Sequence, residues 1–137
     1  MLLENKNMRR ILSIALVSLV FIACKTKETR TYELVQYYNS DKGILTSDSL
    51  RYTKAYILDK RTVALDYVFS TQEEIVTKPF MDQLADVLSQ VSGEYPECRN
   101  LIKEGIDFKA RIYNKYGIKI QEYPLEVDKE GNLKTRI

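Results

Sequence analysis

Catalysis by a side chain needs a nucleophile, a base or a metal ligand, and this sequence offers few. It contains no histidine, which removes the commonest general base, the Ser-His-Asp and Cys-His arrangements and the commonest metal ligand. Carboxylates, lysines, tyrosines and thiols remain. Cys98, in the stretch GEYPECRN, is the candidate nucleophile, because backbone N–H groups at an expected helix start favour a thiolate. Glu94 and Glu97 oppose that by repulsion and Arg99 partly offsets them; the competing role is a small buried apolar residue. The carboxylate pairs are Glu73 with Glu74, and Asp82 with Asp86. Asp82 and Asp86 lie four apart and off the apolar stripe of their expected helix, which makes them a solvated face. The stretch DKEGN at 128–132 lacks the alternating acids and closing Glu of a calcium loop and reads as a turn. The five glycines stand singly, so no phosphate-cradling loop is expected. No catalytic residue, metal or cofactor is assigned.

The second thiol, Cys24, points elsewhere. An apolar run extends from Ile11 to Ala23, broken only by Ser13 and Ser18, and Arg9-Arg10 precedes it. As a helix it covers about 20 Å of a ~30 Å hydrocarbon core, too little to span comfortably. A basic start, a short apolar segment and a small residue at its exit describe a secretory signal. Phe21-Ile22-Ala23-Cys24 resembles a lipobox, the processing site of bacterial lipoproteins, with Phe21 where Leu is usual. The resemblance covers residues 8–24 and implies that Cys24 carries a diacylglyceryl group, that residues 1–23 are removed, and that acyl chains hold the mature protein on a bilayer. Two or more chains make a stable anchor. Residues 1–7, MLLENKN, contain an acid and dilute the basic segment, so the expected start is Met1 or Met8. Lys25 follows the cysteine where enteric lipoproteins retained at the inner membrane carry Asp, which implies an outer-membrane anchor facing the periplasm.

Removal of residues 1–23 from the 137-residue chain leaves 114, enough for one domain. It takes away Lys6, Arg9, Arg10 and Glu4, so the 21 basic and 19 acidic groups become 18 of each. A balanced chain lacks the footprint of a nucleic-acid binder. No cluster of four or more Lys/Arg adds an electrostatic membrane site. With Cys24 alkylated, Cys98 has no partner for a disulfide.

The elements that would position these residues follow from pattern. Residues 24–31, through KTKETRT, form the lipidated cysteine and a flexible polar tether; residues 32–137 form a single domain. YELVQYY is β-prone by residue type, giving a strand at 32–38 before the turn formers NSDKG. In LRYTKAYILDKRTVALDYVFS, period-two alternation marks a hairpin. A four-residue loop at 59–62 would set Leu58 opposite Val63, Tyr56 opposite Leu65 and Tyr52 opposite Phe69, so that the apolar faces coincide. A helix begins near Pro79, with Phe80, Leu84, Val87, Leu88 and Val91 on one stripe and Gly93 near its end. A shorter helix covers 96–104. Strands return at 106–113 and in IKIQEY, where Pro124 marks an edge or an end, and DKEG closes a weak hairpin. The order β-β-β-α-α-β-β predicts an α+β domain: a mainly antiparallel sheet of about five strands with two helices packed on one face.

Such a sheet leaves one face uncovered. Ten tyrosines and no tryptophan suit a half-wet sheet, and exposed Tyr is enriched at binding hot spots. Tyr113, in the polar register of its strand, and Tyr37 or Tyr38, one of which must point outward, are the candidate binding residues. Three functions stand open: a membrane-anchored binding or accessory module for another cell-envelope protein, a periplasmic enzyme using Cys98 or carboxylates, and an inhibitor of a periplasmic hydrolase presenting the loop at 39–49.

Overall fold

The computed structural model describes residues 25–40 and 49–137. The expected signal segment, Cys24 and most of the expected 39–49 loop lie outside the described residues. In chain order the elements are α1 (Lys27–Ser40), β1 (Leu50–Asp59), β2 (Thr62–Phe69), α2 (Lys78–Glu94), α3 (Glu97–Lys103), β3 (Asp107–Tyr113), β4 (Lys119–Val127) and β5 (Leu133–Thr135). The sheet has five strands in the order β1-β2-β3-β4-β5. Three neighbour pairs are antiparallel; β2 and β3 are parallel.

The α+β class holds, but the sheet is mixed and the helices number three among the described residues. The expected strand at 32–38 is instead the body of α1. Its Tyr and Val favour strands by type, yet Thr31, Leu34, Val35 and Tyr38 are the buried positions, and i, i+3, i+4, i+7 is one helix face. The expected tether is helical from Lys27 onward, and Thr31 is buried. Arg30 fastens α1 to α3 through Glu97 and Glu104, at 2.6 and 2.7 Å.

The hairpin register also differs from expectation. Ile57 faces Val63, Ala55 faces Leu65, Thr53 faces Tyr67 and Tyr56 faces Ala64. A two-residue turn, Lys60-Arg61, joins Asp59 to Thr62, and a bulge at Leu58 absorbs the extra residue. The Asp59 carboxylate accepts the Arg61 N–H at 2.8 Å and holds the turn tight. Tyr52 and Tyr56 are thereby turned away from the core.

The core is one cluster. Val63, Leu65, Tyr67 and Phe69 of β2 and Phe108, Ala110 and Ile112 of β3 meet the stripe Phe80, Leu84, Val87, Leu88 and Val91 of α2, with Leu34, Val35 and Tyr38 of α1 and Leu101 of α3. All three helices therefore cover the same sheet face. The α2 stripe and the alternation of β3 are as the sequence predicts, and Pro79 sits in the first turn of α2. Pro124 lies inside β4, where that strand passes from its pairing with β3 to its pairing with β5. Ser92 donates to the Leu88 carbonyl at 2.8 Å and accepts the Leu133 N–H at 2.7 Å, fixing β5 to α2.

β1 is an edge strand, and an open edge invites pairing with other chains. Asn39 fills part of it: its side-chain oxygen accepts the Ala55 N–H at 2.8 Å and its amide donates to the Ala55 carbonyl at 3.0 Å. One side chain thus imitates a neighbouring strand for one residue. Asn39→Ala is expected to destabilise the domain by about 1–3 kcal/mol, read as a lower urea midpoint with unchanged slope, and to promote self-association in sedimentation. An unchanged midpoint would show that water replaces the amide at no cost.

Candidate functional site

The sheet face opposite the helices is built by register. Three rows of side chains cross it. Tyr52, Val68 and Tyr113 form the first, Lys54, Asp66, Arg111 and Glu122 the second, and Tyr56, Ala64, Lys109 and Pro124 the third. The second row alternates in sign from β1 to β4. At its centre Arg111 grips Asp66 with two bonds, Nε to Oδ1 at 2.5 Å and Nη2 to Oδ2 at 2.9 Å, the bidentate geometry that gives such pairs their strength. The carboxylate of Asp66 is the first cause that raises the Arg111 pKa, so the guanidinium stays charged.

This face is open yet its floor is dry. Ala64 is 0 % exposed and Asp66 is buried, because long neighbours lean over small or short ones. The Lys54 ammonium stands 5.2 Å from the Tyr56 ring centre and the Arg111 guanidinium 5.6 Å from it, both within cation–π range. Tyr52 and Tyr56 remain 50 % and 37 % exposed. Glu122 bonds Lys109 at 2.5 Å and Lys119 at 3.1 Å. The result is a rigid surface in which aromatic rings with hydroxyl tips flank a locked charge row. It offers contact area and directional hydrogen bonds at little loss of side-chain freedom, and contains no thiol or histidine.

The expected binding residues separate on the structure. Tyr113 does lie on the open face, half-buried. Tyr37 points outward, but from α1 on the helical side, with its ring edge-on to Tyr95 at 5.4 Å. Tyr38 is 3 % exposed; its hydroxyl bonds those of Thr53 at 2.6 Å and Tyr67 at 3.3 Å, and burial pushes its pKa up. It is a core residue and not a contact residue. Tyr52, Tyr56, Asp66 and Arg111 escaped the sequence reading because the four-residue loop put both tyrosines in the core. A signal existed in TVALDYVF: a lone acid in an apolar strand requires a partner.

Cys98 is 0 % exposed. Burial, with a smaller push from Glu97, raises its pKa to about 12, so it is a core residue. Glu73, Glu74, Asp82 and Asp86 are exposed. Asp128 spends its carboxylate on the Glu130 and Asn132 N–H groups, both at 2.9 Å, as a turn residue does. Among the described residues no group of three His, Cys, Asp or Glu could hold a metal ion, and no helix is long and apolar enough to cross a membrane. The chain matches no protein-family model, no curated protein and no solved structure.

In the folded Cys24→Ser protein, Cys98 is expected to be silent to an aromatic disulfide reagent at pH 8, where a pKa near 12 leaves a thiolate fraction on the order of 10⁻⁴, and to react fully in guanidinium. Prompt reaction without denaturant would return Cys98 to the list of nucleophiles. Lys109 and Lys119 hold the Glu122 pKa below the ordinary glutamate value. The contribution of that contact is complete above the ordinary value and disappears as the pH falls through the lowered one. Carboxyl NMR titration should find Glu122 titrating low, and Lys109→Met should move it back up.

Proposed function

We propose that this protein is a lipid-anchored component of the bacterial cell envelope whose domain binds another envelope protein through the open sheet face. The anchor rests on the stretch from Arg9 to Cys24. The binding role rests chiefly on one observation: all three helices pack on one side of the sheet, so the other side turns Tyr52, Tyr56 and Tyr113 outward around the Asp66–Arg111 pair. A solvated sheet face needs only polar residues; this one carries three aromatics, the residue class that dominates binding hot spots. The partner it suits is a flat or extended protein surface with hydrogen-bonding groups for the tyrosine hydroxyls and apolar contact for the rings. An outer-membrane position facing the periplasm accords with Lys25 after the lipidated cysteine. The enzyme reading loses its thiol, since Cys98 is buried with a raised pKa.

A photocrosslinking residue at position 52 in intact cells is expected to trap one discrete partner, and the same residue at position 36, on the helical side, to trap none. With the partner in hand, Tyr56→Ala should weaken binding about 30-fold, the effect of a ~2 kcal/mol hot spot, in protein shown to be folded by circular dichroism. Equal trapping from both positions, or unchanged affinity, would refute the open face as the interface. Mass spectrometry of the native amino terminus tests the anchor: a diacylglyceryl Cys24 is expected as the first residue.

A further inference from the structure

The chain enters the fold beside the tip of the first hairpin. Thr26, Lys27 and Glu28 line one hollow with Lys60 and Arg61 of the β1–β2 turn and with Glu104 and Gly105 beyond α3. The Lys27 ammonium donates to the Glu104 carbonyl at 2.8 Å, fixing the start of α1 at this pole. Only Lys25 and Thr26 separate Cys24 from the first helical residue, a reach of about 10 Å even when extended. A bilayer held by Cys24 therefore lies close to the hairpin tip.

The tip has the composition that a bilayer surface accepts. Ile57 and Leu58 are each 43 % exposed, and Lys60 and Arg61 beside them are exposed. The bulge leaves Leu58 without a partner on β2. Among the described residues no carboxylate forms an ion pair with Lys60 or Arg61. Four acids stand nearby. The Asp59 carboxylate is engaged by the turn it closes, Glu104 is paired with Arg30, Glu28 lines the same hollow, and the exposed Asp107 lies beside Thr62 in register. The tip is also stiff at its base, where the Asp107 N–H donates to the Arg61 carbonyl at 2.6 Å.

We infer that the β1–β2 hairpin tip, from Ile57 to Arg61, is a second membrane contact: Ile57 and Leu58 enter the headgroup boundary and Lys60 and Arg61 meet anionic phospholipid, beside the lipid anchor. This rests on the proposed lipidation of Cys24. Two small apolar side chains and two cations are too little to bind a bilayer alone; beside an anchor they act at high local concentration and decide how the domain is oriented. The sheet then stands with its strands running away from the bilayer. The turn between β3 and β4 forms the far pole, and the open face looks sideways.

The test uses the lipidated full-length protein on vesicles of phosphatidylethanolamine and phosphatidylglycerol, with an environment-sensitive fluorophore on Leu58→Cys, Lys60→Cys or, at the far pole, Glu74→Cys. Cys98 is buried and does not compete for the label. Lipids bearing a nitroxide near the headgroup should quench the position 58 and 60 labels several-fold more than the position 74 label, and a Lys60→Glu, Arg61→Glu variant of the position 58 sample should lose most of that difference. Equal quenching at both poles, with the diacylglyceryl group confirmed by mass spectrometry on the same sample, overturns the hairpin contact and leaves the anchor standing. An unmodified Cys24 removes the anchor and the hairpin contact together.

Discussion

Two parallel strands cannot be joined by a tight turn, and from the pairing of β2 with β3 most of this architecture follows. Parallel neighbours need a crossover of a dozen or more residues, here supplied by α2 and α3 between Phe69 and Asp107. Those helices must bury their apolar stripe, and the sheet residues that receive it, Val63, Leu65, Tyr67 and Phe69, are at most 1 % exposed. α1 joins the same side because its own stripe, Leu34, Val35 and Tyr38, meets the same cluster and Arg30 ties it to α3. Nothing is left in the chain, among the described residues, to cover the opposite face.

That face is consequently closed by side chains alone. Ala64 and Asp66 reach burial without any second layer of secondary structure, under cover of Tyr56, Arg111 and their neighbours. An ion pair in such a setting adds little net stability, since desolvation offsets much of the attraction, but removing one partner would cost about 3–5 kcal/mol. Its weight falls on alignment. A slip of β3 against β2 by one residue would take Arg111 to the helical side and leave Asp66 buried without a counter-ion. The Asp66–Arg111 pair thus fixes the register of β2 against β3, and Glu122 with Lys109 does the same for β3 against β4. Both β1 flanks depend on small devices too: the bulge at Leu58 and the Asn39 amide on Ala55.

What the sequence made legible is what local periodicity encodes. Phe80, Leu84, Val87, Leu88 and Val91 repeat as a helix does, and Phe108, Ala110 and Ile112 as a strand does; both sets are buried as expected. In YELVQYY residue type and spacing disagree. Tyr and Val weigh toward a strand, while Thr31, Leu34, Val35 and Tyr38 recur at helical spacing, and burial against β1 and Tyr95 decides for the helix. The hairpin register turned on one residue, Leu58, whose bulge no local pattern announces. With it went Tyr52 and Tyr56, read into the core and found outside, whereas Tyr113, on a strand of clean alternation, was placed on the correct face. The parallel pairing was not legible at all, because neither β2 nor β3 carries a local mark of its partner's direction.

The start of α1 changes what the proposed lipid anchor would do. A flexible run to Thr31 would let the domain swing on a leash of about 25 Å, sampling every orientation and leaving its surfaces equally available. A helix that begins at Lys27, clamped through Arg30 to Glu97 and Glu104, would shorten that leash to two or three residues. A partner of the proposed kind would then meet a domain with one pole held down and its strands rising from the bilayer, so the Tyr52–Tyr56 face would be offered laterally at a fixed height. Such binding would forfeit less rotational entropy than with a freely swinging module, and the same tyrosine contacts would support a tighter complex.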